Sequence, residues 1–223
     1  MTGIVETGPS GMPYRAGLIG CGYIGSLYNE SIDSGDVYSH AAAYTRCSDV
    51  QFAAVCDTNL DLARRCGKRW QIEHIYTDYR KMLAEESLDI VSICTPDETH
   101  FEIAQTVLRS GRVRAVFCEK PLATDSDSGW ELVSLADELG VILSVNYSRR
   151  YHDGHQKARD LIMGGGIGSI QAVRGLYTKG IVHNGTHFID TLRYLTGHEV
   201  VAVMGYQPRP VEPDDLAVSA VLW

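Results

Sequence analysis

Two sets of residues in this 223-residue chain have the types and spacing to do chemistry. The first is Gly20-Cys21-Gly22-Tyr23-Ile24-Gly25, a GxGxxG run that follows the apolar stretch 16–19. After a strand and before a helix, such a run is a phosphate-binding turn. Gly20 permits the sharp bend, Gly22 lets the backbone approach a pyrophosphate, and Gly25 allows close helix–strand packing. The free N–H groups at the helix start then face the phosphates. The second set is titratable: Lys120, between Glu119 and Pro121, and His187, three residues before Asp190. Groups of these types move protons and steady developing negative charge. Histidine titrates near working pH, and a lysine ammonium stabilises developing alkoxide charge. Alone, the histidine would read as a packed or capping group and the lysine as solvated. Their surroundings turn the reading toward chemistry.

Elements must place these groups, and the chain alternates in the required way. Apolar runs at 16–19, 51–56, 90–94, 115–118 and 141–145 read as strands. Helical patterns lie at 39–46, 60–70, 79–86, 98–110 and 126–139. Gly111 and Gly140 fall where helix C-terminal glycines belong, and Asp125 where an N-cap does. This alternation predicts an α/β fold with a doubly wound parallel sheet, which binds ligands beyond the carboxyl ends of its strands. Asp57 closes the second strand. An acid there accepts the adenosine ribose hydroxyls and repels a 2′-phosphate, favouring NAD over NADP. Its distance from the glycines exceeds the usual ~20 residues, which fits an insertion at 29–38. Asp57 also reads as an N-cap for the helix at 60, and the nearby Arg64 and Arg65 keep NADP open.

After residue 146 the character changes. Residues 156–163 and 186–195 read as helices, and 169–177, 200–206 and 216–223 as strands. The expected organisation is a flexible tail at 1–13, a Rossmann domain at 14–146 and an α+β domain at 147–223.

Four motifs in this order resemble the Gfo/Idh/MocA family, which includes glucose–fructose oxidoreductase and inositol dehydrogenase. They are the glycine turn, Thr95-Pro96 with His100, Glu119-Lys120-Pro121, and His187-Phe188-Ile189-Asp190 leading to Gly197. The 40–44 segment HAAAY and the 55–57 segment VCD are also similar to family positions. The resemblance implies an NAD(P)-dependent dehydrogenase of sugars, inositol-like polyols or related alcohols. It also implies a C-terminal domain with a large open, mainly antiparallel sheet, of which 147–223 would be the first portion. The last strand would then end in mid-sheet and expose apolar surface.

On this resemblance His187 is the acid/base and Lys120 the second catalytic group. His183 stands where many family members carry aspartate, so it would donate or relay a proton. Thr95, Pro96, His100, Glu119 and Asp57 join the glycine turn around the cofactor. Arg150, Tyr151, Asn184 and Asp190 line the substrate pocket, and Asp190 also stands one helical turn from His187. Each has a plainer role available: an ion pair for Arg150, packing for Tyr151, a cap for Asn184 and a structural place at the sheet interface for Asp190. A dinucleotide-binding module without catalysis, or an inactive fragment of such an enzyme, is the alternative.

Composition bounds the rest. A formal net charge of −8 argues against nucleic acid or an anionic membrane as the main partner. No apolar run is long enough to span a bilayer, and residues 1–13 do not form a signal peptide. The six cysteines include no CxxC pair, so no metal site is expected; Cys56, Cys94 and Cys118 read as small buried hydrophobes, and the cytoplasm is the expected location. Trp70, Trp130 and Trp223 read as packing residues. The expected partners are a sugar or polyol substrate and, through the C-terminal sheet, another copy of the chain.

Overall fold

The computed structural model describes residues 13–31, 36–177, 180–206 and 218–222. The chain divides into two compact units, the first ending at Asn146 and the second opening at Tyr147.

The first unit is built on a six-stranded parallel sheet: β1 (Tyr14–Ile19), β2 (Val50–Cys56), β3 (His74–Tyr76), β4 (Ile90–Ile93), β5 (Ala115–Cys118) and β6 (Ile142–Val145). Their spatial order is β3-β2-β1-β4-β5-β6. This is the Rossmann order, and its direction of winding reverses between β1 and β4. The central strands are apolar on both faces, as burial under helices on each side requires. Leu18 and Ile19, adjacent in β1, belong to different hydrophobic clusters. The larger cluster packs Ile93, Val116, Val107, Leu108 and Leu132, while the smaller joins Leu18, Val55, Cys66 and Cys94.

The helices of this unit are α1 (Tyr28–Ser31), which continues a π-helical turn at Tyr23–Leu27, then α2 (His40–Arg46), α3 (Leu60–Trp70), α4 (Tyr79–Glu85), α5 (His100–Arg109) and α6 (Ser126–Leu139). The starts of α2, α3, α4 and α6 are fixed by side-chain oxygens on otherwise unpaired amides. Ser39 accepts from Ala42, Asn59 from Asp61 and Leu62, and Asp125 from Ser128. Gly140 closes α6 in the left-handed conformation at φ 64°.

The second unit holds α7 (Asp153–Met163), a π-helical turn at Ile181–Gly185, α8 (Thr186–Thr196) and an antiparallel pair, β7 (Val203–Tyr206) with β8 (Ser219–Leu222). Gly197 ends α8 at φ 69°.

Several expectations are corrected. The three-residue β3 was not anticipated. Residues 169–177 alternate in hydropathy but form no strand, and Val173 and Leu176 stay exposed. Trp130 is 70% exposed and does not pack, whereas Trp70 donates from Nε1 to Ser26 Oγ at 2.9 Å. Asp57 does not cap α3; Asn59 does. Residues 1–12, and residues 216, 217 and Trp223 of the last expected strand, lie outside the described residues.

Candidate active site

In the first unit, each chemistry-bearing residue stands at the carboxyl end of a parallel strand. The ladder continues to those residues. Gly20 donates to Cys56 O, Cys94 to Ile19 O, Glu119 to Ile93 O and Asn146 to Cys118 O, at 2.8, 2.8, 2.9 and 2.8 Å. Five neighbouring strands therefore aim the glycine turn, Asp57, Thr95, Glu119-Lys120 and Asn146 at one edge of the sheet, across the β1/β4 reversal.

The glycine turn fits a dinucleotide. Gly20 has φ +95°, and a Cβ there would sit 2.5 Å from Cys94 O. At Gly25 a Cβ would sit 2.0 Å from Gly20 O, so only glycine lets the helix lie against the strand end. At Gly22 a Cβ meets nothing within 4 Å. The first site is shaped by the turn itself, whereas the last leaves the open space that a pyrophosphate needs beside a bare backbone. Of the other turn residues, Cys21 is buried, Ile24 packs against the smaller core cluster and Tyr23 is exposed.

Asp57 has a second task. Its Oδ2 accepts from Cys21 N at 2.8 Å and its Oδ1 from Asn59 N at 2.8 Å. One carboxylate thus ties the end of β2 to the glycine turn. Each oxygen keeps a further lone pair for a ribose hydroxyl. Arg64 and Arg65 are exposed on α3.

His100 is fully buried at the start of α5. Its Nδ1 lies 2.6 Å from Pro121 O and its Nε2 2.8 Å from Thr95 O. The ring joins the loops after β4 and β5, so His100 holds the site's walls together and is itself closed to a ligand. Thr95 and Pro96 begin the first of these loops, with Thr99 Oγ1 donating to Thr95 Oγ1 at 2.8 Å. The Lys120–Pro121 peptide is cis, and Lys120 is half-buried. Glu119 is buried and faces inward: Asn146 Nδ2 donates to its Oε1 at 2.6 Å, His40 Nε2 lies 3.1 Å from the same oxygen, and Lys120 N donates to Oε2 at 3.3 Å. Burial alone would raise the Glu119 carboxyl. The hydrogen bonds from His40 and Asn146 and the Lys120 amide outweigh it, holding Glu119 below the usual carboxylate value.

In the second unit, α8 carries His187, Asp190 and Arg193 at helical spacing. Asp190 is buried and grips Arg150 in a forked pair, with Nε at 2.9 and 3.0 Å and Nη2 at 2.6 Å. His187 meets Tyr147 edge to face at 5.7 Å between ring centroids. A cavity of about 140 Å³ is lined by Tyr147, Thr186, Ile189, Asp190 and Arg193. Asn184 is half-buried in the π-helical turn and Tyr151 is 60% exposed. The His183 side chain lies outside the described residues. The structure thus gathers Tyr147, His187, Asp190 and Arg150 in one neighbourhood. It leaves Tyr151 at the surface.

The sequence reading had not singled out Ser92, Tyr44, Asn146 or Tyr147. A lone serine inside the apolar strand IVSIC was the available signal, since a buried hydroxyl demands a partner.

Residues 14–147 match the model of the Gfo/Idh/MocA family, described as an oxidoreductase family with the NAD-binding Rossmann fold. The chain is 26% identical over 208 residues to the D-glucoside 3-dehydrogenase of Escherichia coli K12, covering 85% of this chain and 56% of that enzyme. It is 26% identical over 211 residues to the inositol 2-dehydrogenase of Salmonella typhimurium LT2, covering 89% of this chain and 59% of that one. Among solved structures, a putative myo-inositol dehydrogenase from Sinorhizobium meliloti 1021 is similar with a TM-score of 0.75 and 25% identity, over 94% of this chain and 65% of that one. The scyllo-inositol dehydrogenase of Lactobacillus casei, solved with NAD(H) and scyllo-inositol, shares the fold with a TM-score of 0.76 at 20% identity, over 94% of this chain and 66% of that one. The chain therefore spans between half and two-thirds of the length of these relatives.

Proposed function

Because the chain belongs to the Gfo/Idh/MocA family of NAD-binding Rossmann oxidoreductases, we propose that it serves hydride transfer between NAD and a secondary alcohol or ketone of a sugar, an inositol-like polyol or a sugar derivative. The observation that carries this reading is the row of strand ends, which presents an open glycine turn, the acid Asp57 and the lysine Lys120 on one edge of a single sheet. The dehydrogenase names of the relatives favour the same substrate class.

NAD, when bound, supplies the hydride acceptor. The chain's residues do the rest. Gly20, Gly22 and Gly25 admit the pyrophosphate, with Cys21, Tyr23 and Ile24 supplying the turn's backbone. Asp57 takes the ribose hydroxyls and disfavours a 2′-phosphate. The Lys120 ammonium holds the substrate oxygen and stabilises negative charge as its proton departs. His187 takes that proton from the hydroxyl, or returns it to the oxygen in reduction. His183 is the second proton-carrying group. Asp190 supports this site by fixing Arg150, while Asn184 and Tyr151 supply polar contacts to substrate hydroxyls.

Steady-state assays on a panel of sugars and inositols test the reading. Lys120→Ala is expected to lower kcat by roughly 10²–10³ with NADH binding retained. His187→Asn is expected to lower kcat by about 10²–10⁴ and to remove the acidic limb of the pH–rate profile. Wild-type turnover in both variants would overturn the assigned roles. The proposed partner among macromolecules is another copy of the chain. Cytoplasmic residence goes with these assignments, and fractionation of cells expressing the chain would test it.

A further inference from the structure

Behind the Glu119-Lys120 turn lies a buried polar row that the reaction as described does not use. Tyr44 OH is 2.5 Å from Ser92 Oγ, and Ser92 Oγ is 2.8 Å from His40 Nδ1. His40 Nε2 is 3.1 Å from Glu119 Oε1, and Glu119 Oε2 accepts from Lys120 N at 3.3 Å. All four side chains are buried, in a region otherwise made of core residues; the Phe117 ring packs on His40 at 4.8 Å between centroids. Burying this much polarity is costly unless each group is satisfied, and one directional arrangement satisfies the row. Burial keeps the proton on Tyr44, against a smaller opposing effect of its bond to Ser92. Tyr44 then donates to Ser92, Ser92 to Nδ1 of His40, and Nε2–H of His40 to the Glu119 carboxylate. In the reverse direction the Tyr44 proton has no acceptor among the bonds described. Asn146 Nδ2, 3.4 Å from His40 Nε2, is a second donor converging on Glu119 Oε1.

We propose that His40, supported by Ser92 and Tyr44, is a positioning residue for Lys120: it clamps the Glu119 carboxylate, which in turn holds the Lys120 main chain at the sheet edge. The inference rests on the catalytic role given above to Lys120. Three elements contribute to the clamp, α2 with His40 and Tyr44, β4 with Ser92, and the end of β5 with Glu119. It therefore fixes the lysine against the sheet and not merely against its own loop. A misplaced catalytic group costs rate even when the ligand still binds.

The test compares wild type, His40→Ala, His40→Gln and Tyr44→Phe. Three quantities are read: hydrogen exchange of the Glu119 and Lys120 amides, NADH affinity by fluorescence, and kcat with KM on the best sugar or inositol. In His40→Ala, exchange at these amides should quicken and kcat fall by roughly 10–100-fold, while NADH affinity stays within about a factor of two. His40→Gln, whose amide nitrogen can still donate to Glu119, should recover most of both. Tyr44→Phe deletes one hydroxyl, so it should fold where His40→Ala does not, and it should show the same changes in smaller measure. If wild type is active, faster exchange without loss of kcat, loss of kcat without faster exchange, or parallel loss of NADH binding each overturns the proposal. If wild type turns over none of the substrates, the dehydrogenase reading fails instead. The exchange comparison then decides the clamp alone: unchanged protection of Glu119 and Lys120 overturns it.

Discussion

Gly22 and Gly25 share one turn, yet a methyl group at each meets opposite surroundings. At Gly25 it would strike Gly20 O at 2.0 Å, while at Gly22 it would point into open space. Backbone angles agree, since Gly22 has φ −69°, which other residues adopt readily. The two positions therefore separate fold from binding. Gly22→Val should keep the thermal unfolding midpoint of wild type but lose NADH, because the side chain fills the pyrophosphate's space. Gly25→Ala should lower the midpoint as well, because the helix must back away from β1. Calorimetry beside NADH titration checks both, and a Gly22→Val protein that binds NADH normally would refute the placement of the phosphates. At this scale much of the site was legible in the sequence, because glycines, a strand-end acid and a lysine beside proline carry their reasons locally. The double task of Asp57 was not legible: its bond to Cys21 spans 36 positions and depends on β1 lying beside β2. The same holds for the row joining Tyr44, Ser92, His40 and Glu119. His40, Tyr44 and Glu119 lie in segments that the sequence marks, but nothing local joins them to Ser92, and only the stacking of α2, β4 and β5 brings the four together.

Elements were legible where burial enforced them. The apolar runs of β1, β2, β4 and β5 announced themselves because helices cover them, and β6 was read from its apolar run although it is only partly buried. By contrast, β3 has three residues at the edge of the sheet, too few for a pattern. The 169–177 segment has the alternation of a strand but no partner among the described residues, and alternation without pairing leaves a strand unformed. That contrast has a consequence for association. In the second unit Leu176 is 87% exposed, Val201 84% and Tyr206 68%, and the β7–β8 pair has no further strand beside it among the described residues. Exposed apolar strands with open edges pair with other chains. We infer that copies of the chain associate through this surface. Sedimentation across a range of concentrations should show species above the monomer, and Val203→Lys together with Val221→Lys should reduce them. A monomer at every concentration in wild type would count against this surface as an interface.

At the scale of the whole molecule, the order of the motifs was the most informative feature. A glycine turn, a threonine–proline loop, a Glu-Lys-Pro turn and a histidine helix follow one another along the chain, and the first three fall on successive positions of one sheet edge. The Rossmann unit and the family follow from that order. The substrate does not: Arg150 and Asp190, proposed to meet it, are paired with each other in the second unit. If the first unit binds NAD through the glycine turn and Asp57, fluorescence titration of the chain with NADH and with NADPH will show it. NADH should bind in the micromolar range, with NADPH weaker by about tenfold or more because the Asp57 carboxylate meets its 2′-phosphate. Binding of neither nucleotide, or tighter binding of NADPH, would contradict the account.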